Sequence, residues 1–229
     1  MRLVAALAVT LAYVTLAYLL SSVSFPYWFA RVRGIDLGKV GSRKLGASNL
    51  GRVAGPAVAV PAGILDGGKG FAAVLLARAA GLPVEAQLAC GVAAVAGQMW
   101  PIFHRFDGGR ANATGWGFAL AADPIAALIM GIPLVSALLL RWVVRPHPTR
   151  LVPLAALLSF GVWTAVIWEI EGVTPSVVAG LCVLGLIVLR RISAGLRADL
   201  ELGAPPGRVL LNRALYDRSE LQQRGMIAI

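Results

Sequence analysis

Three stretches of this 229-residue chain bring glycines, hydroxyl or amide groups and cations close together, the combination that holds a phosphorylated ligand. The first is Gly41-Ser42-Arg43-Lys44-Leu45-Gly46-Ala47-Ser48-Asn49-Leu50-Gly51-Arg52. Its spaced glycines let the backbone turn tightly and come close to a ligand. Ser42, Ser48 and Asn49 offer hydroxyl and amide groups, and Arg52 can grip a phosphate through two parallel N–H bonds. Where such a segment opens a helix, the unpaired N–H groups of its first turn add to an anion site. A polar loop whose charges only fix membrane topology has the same composition, and the residues alone leave both readings open.

The second stretch, Asp66-Gly67-Gly68-Lys69-Gly70, interrupts an apolar helical pattern. Asp66 and Lys69 share one helix face and can neutralise each other. An ion pair at membrane depth is a candidate functional site, with a bridge that clamps helices as the alternative. Gly63-x4-Gly68-Lys69 approaches a nucleotide-binding P-loop, but Gly70 stands where that motif needs Ser or Thr, and no strand pattern precedes it. The third stretch runs from Gly97 to Thr114. Gly108-Gly109 reads as an anion nest leading into a helix N-terminus, with Arg110 as the cation and the Thr114 hydroxyl one turn on. Asp107 follows His104 too closely for a His-x4-Asp box, so His104 reads as an interfacial histidine. His147, between Pro146 and Pro148, reads as a loop residue. These two histidines support no Ser/His/Asp or Cys/His set and no zinc-type cluster, so neither a metal nor a cofactor is expected.

The elements that carry these stretches are those of a membrane protein. Apolar residues make up 58% of the chain and charged ones 14%, with a mean hydropathy of +0.77, which excludes both an ordinary soluble enzyme and a disordered chain. Cys90 and Cys182 both lie in apolar runs and form no disulfide framework. Runs free of Asp, Glu, Lys and Arg cover 3–30, 53–65, 70–77, 86–104, 111–122, 124–140, 151–168 and 172–189. About 17 to 20 such residues span a bilayer as a helix. Fusing 53–65 with 70–77 across Asp66 and Lys69 predicts six full spans, and 111–122 adds a short seventh. The first run is too long for a cleaved signal and reads as a retained anchor.

Of the 21 Lys and Arg, all but Arg2, Lys69 and Arg78 fall on one side of a seven-span arrangement. The positive-inside rule puts that side in the cytoplasm. The expected fold is therefore an all-α polytopic membrane helix bundle with its N-terminus outside and its C-terminus in the cytoplasm. Residues 1–190 form the bundle, and 191–229 form a cytoplasmic tail that is peripheral or simply solvated. The net charge of +10 is then mostly a topology signal, and no basic face with interleaved aromatics points to a nucleic-acid partner.

Taken in order and spacing, Gly34 to Ser42, Gly46-Ala47-Ser48-Asn49 with Arg52, Leu65-Asp66-x-x-Lys69-Gly70, Gly97-x-x-Trp100-Pro101-x-Phe103 and Phe106-x-Gly108-Gly109-Arg110-x-x-Ala113-Thr114 resemble the bacterial acyl-phosphate:glycerol-3-phosphate acyltransferases. The resemblance implies a seven-span protein of the bacterial plasma membrane, in contact with membrane lipid. It implies transfer of an acyl chain from acyl phosphate to the sn-1 hydroxyl of glycerol 3-phosphate, giving lysophosphatidic acid and phosphate. Carried over residue by residue, Ser42, Arg52, Lys69 and Arg110 are the expected catalytic residues. Gly41, Gly46, Asn49, Asp66, Gly108, Gly109 and Thr114 are the expected substrate-binding ones.

The chain also departs from the family pattern. Gly-Ser-Gly-Asn has become Gly41-Ser42-Arg43-Lys44, which replaces a permissive glycine and puts two cations beside the pocket. Gln98 stands where the family has His, and Gly-Gly-Lys-Gly has become Gly108-Gly109-Arg110-Ala111. After the last span, Arg-His-x-x-Asn-Ile has become Arg190-Arg191-Ile192-Ser193-Ala194-Gly195. These departures keep open a catalytically impaired member that binds lipid phosphates or partners an active paralogue. A small-anion transporter would more often show an internal repeat, and none is present. Oligomeric state is not written in the sequence.

Overall fold

A computed structural model describes residues 2–143 and 151–219. Eleven α-helices are found among them: α1 (Arg2–Ser21), α2 (Phe25–Arg31), α3 (Ala47–Ala54), α4 (Pro56–Ala79), α5 (Val84–Met99), α6 (Asn112–Ala122), α7 (Pro124–Val143), α8 (Leu151–Glu171), α9 (Pro175–Ser193), α10 (Leu196–Glu201) and α11 (Pro206–Tyr216). A 3-10 turn covers Ile102–His104, and the described residues contain no strand. Among the described residues, five segments are long and apolar enough to cross a membrane, Leu3–Arg31, Pro56–Ala79, Val84–His104, Leu151–Glu171 and Pro175–Ser193, and Pro124–Leu140 is a shorter apolar helix. The fusion of 53–65 with 70–77 holds as one helix, although that helix begins only after Gly55, whose φ of 84° separates it from α3. The basic loop with Arg145, His147 and Arg150 lies outside the described residues, as does Arg224.

The run 3–30 is not one helix. It breaks at Ser22–Ser24, where the Ser24 hydroxyl accepts the Tyr27 N–H and caps α2. Ending α1 at Ser21 leaves backbone groups without helical partners. Asp66 and Lys69 of α4 satisfy them: Asp66 Oδ1 accepts the Phe25 N–H at 3.3 Å, and Lys69 Nζ donates to Ser21 O at 3.1 Å and to Val23 O at 2.7 Å. The short run 111–122 becomes α6, whose 11 residues reach about 16 Å against a hydrocarbon core of about 30 Å.

Glycines let α6 lie against α4. A Cβ on Gly70 would strike the Thr114 carbonyl and the Phe118 amide, and one on Gly117 would strike the Gly67 carbonyl. Small residues at such a crossing replace the hydrophobic drive that lipid cannot supply. Around them Met99, Phe118, Met130, Phe160, Trp163, Ile167 and Val183 form the shared core, with Phe118 edge-on to Trp163 at 5.4 Å. Ile64, Ile125, Leu128, Leu139, Trp168 and Leu181 point outward from the bundle.

The described part of the tail is docked rather than solvated. α10 and α11 are locked by the buried Arg213–Asp199 pair at 2.6 Å, and α11 packs on α8 and α9. Arg191 at the end of α9 donates to Ala214 O and Leu215 O, the last carbonyls of α11, and to Pro153 O.

Two non-glycine residues of the glycine-rich segments adopt the left-handed backbone that favours glycine: Arg43 at φ 58° and Ala111 at φ 51°. That conformation costs a non-glycine residue about 1–2 kcal/mol, partly offset by the lower chain entropy of the unfolded state. Ala111→Gly is expected to raise stability by about 0.5–1 kcal/mol. Gly70→Ala is expected to lower it by about 1–3 kcal/mol, by forcing α4 from α6. Thermal unfolding of the detergent-solubilised chain measures both.

Candidate active site

The first glycine-rich segment is folded around one side chain. Asn49, 1% exposed, sends Nδ2 to Leu37 O, Val40 O and Lys44 O at 3.1–3.2 Å, and its Oδ1 accepts the Ser42 N–H at 2.8 Å. Gly41, at φ 58°, lies so close to Asn49 Oδ1 that any Cβ would collide with it. Asn49 and Gly41 thus shape the loop, while Ser42, Ser48 and Arg52 line the cavity beside it. Gly46 is the N-cap of α3 and provides no side-chain cap, so the first turn of that helix opens on the cavity.

This cavity has a volume of about 600 Å³. Its lining combines polar groups, among them Ser42, Lys44, Ser48, Arg52, Arg110 and Arg191, with the apolar side chains of Trp116, Leu134, Val152, Pro153 and Ala156. A smaller cavity of about 190 Å³ adjoins it, also lined by Ser42, Lys44, Arg110 and Arg191. Asp217, just past α11, lines both. Its Oδ1 accepts from Arg110 Nε at 2.7 Å and its Oδ2 from Lys44 Nζ at 2.6 Å. Burial pushes the Asp217 carboxyl up, but Arg110, Lys44 and Arg191 outweigh burial and bring it down to about 2. Burial lowers the Lys44 ammonium to about 8; Asp217 opposes this shift, and Arg110 and Arg191 add to it.

Several residues expected to touch a substrate are also bonded within the protein, although Asp66, Gly109 and Thr114 line the large cavity and Gly108 the smaller one. Lys69, expected to be catalytic, does not line the cavity. Its ammonium is shared among Asp66 Oδ1 at 2.7 Å, Gln98 Oε1, Ser21 O and Val23 O. Gly108 and Gly109 form no open nest, because their amides donate to Met99 O and Gln98 O and their carbonyls accept from Arg190. The Thr114 hydroxyl donates to Asp66 O at 3.0 Å and ties α6 to α4. Asp66 does reach the cavity floor, but both its oxygens are engaged, Oδ2 by Gln98 Nε2 at 2.8 Å. His104 packs edge-on against Tyr27, away from the cavity.

Of the expected catalytic set, the fold brings together Ser42, Arg52 and Arg110. Sequence reasoning missed Arg191 and Asp217 as cavity residues, and Gln98 as the partner of the ion pair. Arg110 and Asp217 lie 107 positions apart, and no local spacing could have joined them.

Lys69→Met leaves Asp66 as an unpaired buried charge and is expected to destabilise the fold by about 3–5 kcal/mol, read as a drop in thermal unfolding temperature. Lys44 carries its charge below pH about 8 and loses it above. Affinity for a phosphorylated ligand is therefore expected to fall as pH rises through about 8, with Asp217, Arg110 and Arg191 as the charges facing Lys44. Lys44→Asn is expected to remove that step, as titration calorimetry across pH would measure.

Residues 11–197 match the model of the family described as glycerol-3-phosphate acyltransferase. A curated relative of that name from Dehalococcoides mccartyi, glycerol-3-phosphate acyltransferase 5, is 41% identical over 113 residues, covering 49% of this chain and 48% of its own length. The chain thus spans about half the length of that relative. Two crystal structures of PlsY, described as an integral membrane glycerol 3-phosphate acyltransferase, share the fold at 27% identity. Its glycerol 3-phosphate form superimposes with a TM-score of 0.72, covering 95% of this chain and 98% of that one. Its lysophosphatidic acid form gives a TM-score of 0.69, covering 85% and 92%. With helices apolar enough to cross a membrane and the family match running through most of its length, the chain belongs to the glycerol-3-phosphate acyltransferase family of integral membrane proteins.

Proposed function

We propose that the chain transfers an acyl group from acyl phosphate to the sn-1 hydroxyl of glycerol 3-phosphate, releasing lysophosphatidic acid and inorganic phosphate. The observation that carries this reading is a single cavity lined both by cations and by apolar side chains. Phosphates suit Arg52, Arg110 and Ser42; an acyl chain suits Trp116, Leu134 and Val152. That the related PlsY was solved in glycerol 3-phosphate and lysophosphatidic acid forms supports the same pair of acceptor and product.

The chemistry asks little of the protein beyond position. An acyl phosphate is already activated, and holding it against the acceptor hydroxyl can lower the barrier by about 7–11 kcal/mol at best. The hydroxyl oxygen attacks the acyl carbon, the ester bond forms, and the bond from that carbon to the phosphate oxygen breaks. The departing phosphate takes up the hydroxyl proton on one of its own oxygens. Arg110 and Arg52 hold the phosphate of glycerol 3-phosphate, and Ser42 orients one of its oxygens. No metal or cofactor enters this scheme.

The same reading places the protein in the bacterial plasma membrane with seven spans, α1 and α4 to α9, the N-terminus outside and the C-terminus in the cytoplasm. The loops 32–46 and 100–111 and the end of α9 then share the cytoplasmic end, where soluble glycerol 3-phosphate enters. Purified chain given palmitoyl phosphate and glycerol 3-phosphate is expected to release phosphate and form lysophosphatidic acid, with acceptor-dependent turnover lost in Arg52→Ala. No turnover under conditions where a related enzyme works would refute the activity, and unchanged affinity in Arg52→Ala would refute the pocket.

A further inference from the structure

The family match ends at residue 197, yet the chain beyond it reaches into the cavity. The route is built from several buried contacts. Arg213, 3% exposed, pairs with fully buried Asp199 and donates to Gly195 O, fixing α11 on the turn after α9. Arg191, 1% exposed, caps the far end of α11 through Ala214 O and Leu215 O. The next turn of chain then sets Asp217 at the cation cluster, with φ 50°.

At that point Asp217 makes contacts of two kinds. Its Oδ2 and its own carbonyl both accept from Lys44 Nζ, so the charge of Lys44 is balanced within the protein. Its Oδ1 takes the Nε–H of Arg110, the one guanidinium donor that points back along the side chain. A guanidinium held at Nε has its plane fixed and keeps its two terminal amines as a fork suited to two phosphate oxygens, and Arg110 lines both cavities.

We propose that Asp217 is a positioning residue of the active site: the C-terminal segment supplies the carboxylate that orients Arg110 toward the phosphate of the substrate and neutralises Lys44. This rests on the acyltransferase reading for the identity of the phosphorylated substrate, while the anion site itself is defined by Arg110. A carboxylate acting as a plug would make the opposite prediction, because removing it would free two cations for phosphate. A merely structural Asp217 would act through the fold, whatever side chain stood at 110.

The test is a mutant cycle on the full chain in detergent, with Asp217→Ala made in the wild type and in Arg110→Lys, a cation that has no Nε. Readouts are kcat and KM for glycerol 3-phosphate, and the affinity for inorganic phosphate by calorimetry. In the wild-type background Asp217→Ala is expected to raise KM and weaken phosphate binding about tenfold, with kcat changed far less. In the Arg110→Lys background the same substitution is expected to add less than about a twofold effect. Asp217→Asn, which keeps an acceptor for Nε, is expected to recover much of the loss. Tighter phosphate binding in Asp217→Ala, or an equal loss in both backgrounds, would overturn the proposal. A wild-type chain that binds phosphate but shows no turnover would sink the acyltransferase reading and leave the phosphate cycle to decide on Asp217. A wild-type chain that binds neither phosphate nor glycerol 3-phosphate would sink both.

Discussion

The buried cluster of Asp66, Lys69 and Gln98 is the constraint on which the rest of the structure depends. In a membrane-embedded bundle an interrupted helix is tolerated only where something replaces the lost backbone partners. This cluster replaces them at the break between α1 and α2, taking one N–H and supplying donors to two carbonyls. The same three side chains connect α4 to α5, and backbone groups of Asp66 and Gln98 bind Thr114 and Gly109. One small polar core therefore sets where the first helix stops, how α4 meets α6, and where the loop carrying Arg110 begins.

That cluster changes how the motif residues divide their labour. A charged pair at membrane depth invites a catalytic role, but here its donors and acceptors are spent on the protein. Of the expected catalytic residues, those that line the cavity are Ser42 and Arg110 on loops and Arg52 in the last turn of α3. Asn49 and the glycines at 41, 108 and 109 hold those loops in shape. Apolar side chains from α6, α7 and α8 then make the cavity suited to a molecule with one phosphate and one long chain.

Much of this was legible in the sequence because it is local. Uncharged runs marked the long helices, and the fused run across Asp66 and Lys69 became α4. The three glycine-rich segments do converge. What was not legible depends on contacts between distant segments or on unusual backbone. A run from 3 to 30 without charge gives no sign of a break at Ser22, since the partners that permit it lie in α4. Gly108-Gly109 reads as a nest until Met99 and Gln98 are seen to accept its amides. Arg43 and Ala111 adopt the left-handed backbone that favours glycine, which their residue types do not announce. The tail carries mixed charges that read as peripheral or solvated, and only its docking brings Arg191 and Asp217 to the cavity lining.

The most direct measurement is a crystal structure of the full chain grown with glycerol 3-phosphate. The account expects the phosphate to lie between Ser42, Arg52 and the terminal amines of Arg110, with Lys69 still bound to Asp66, Gln98 and the end of α1. A phosphate bound to Lys69, or seated away from Arg52 and Arg110, would contradict it.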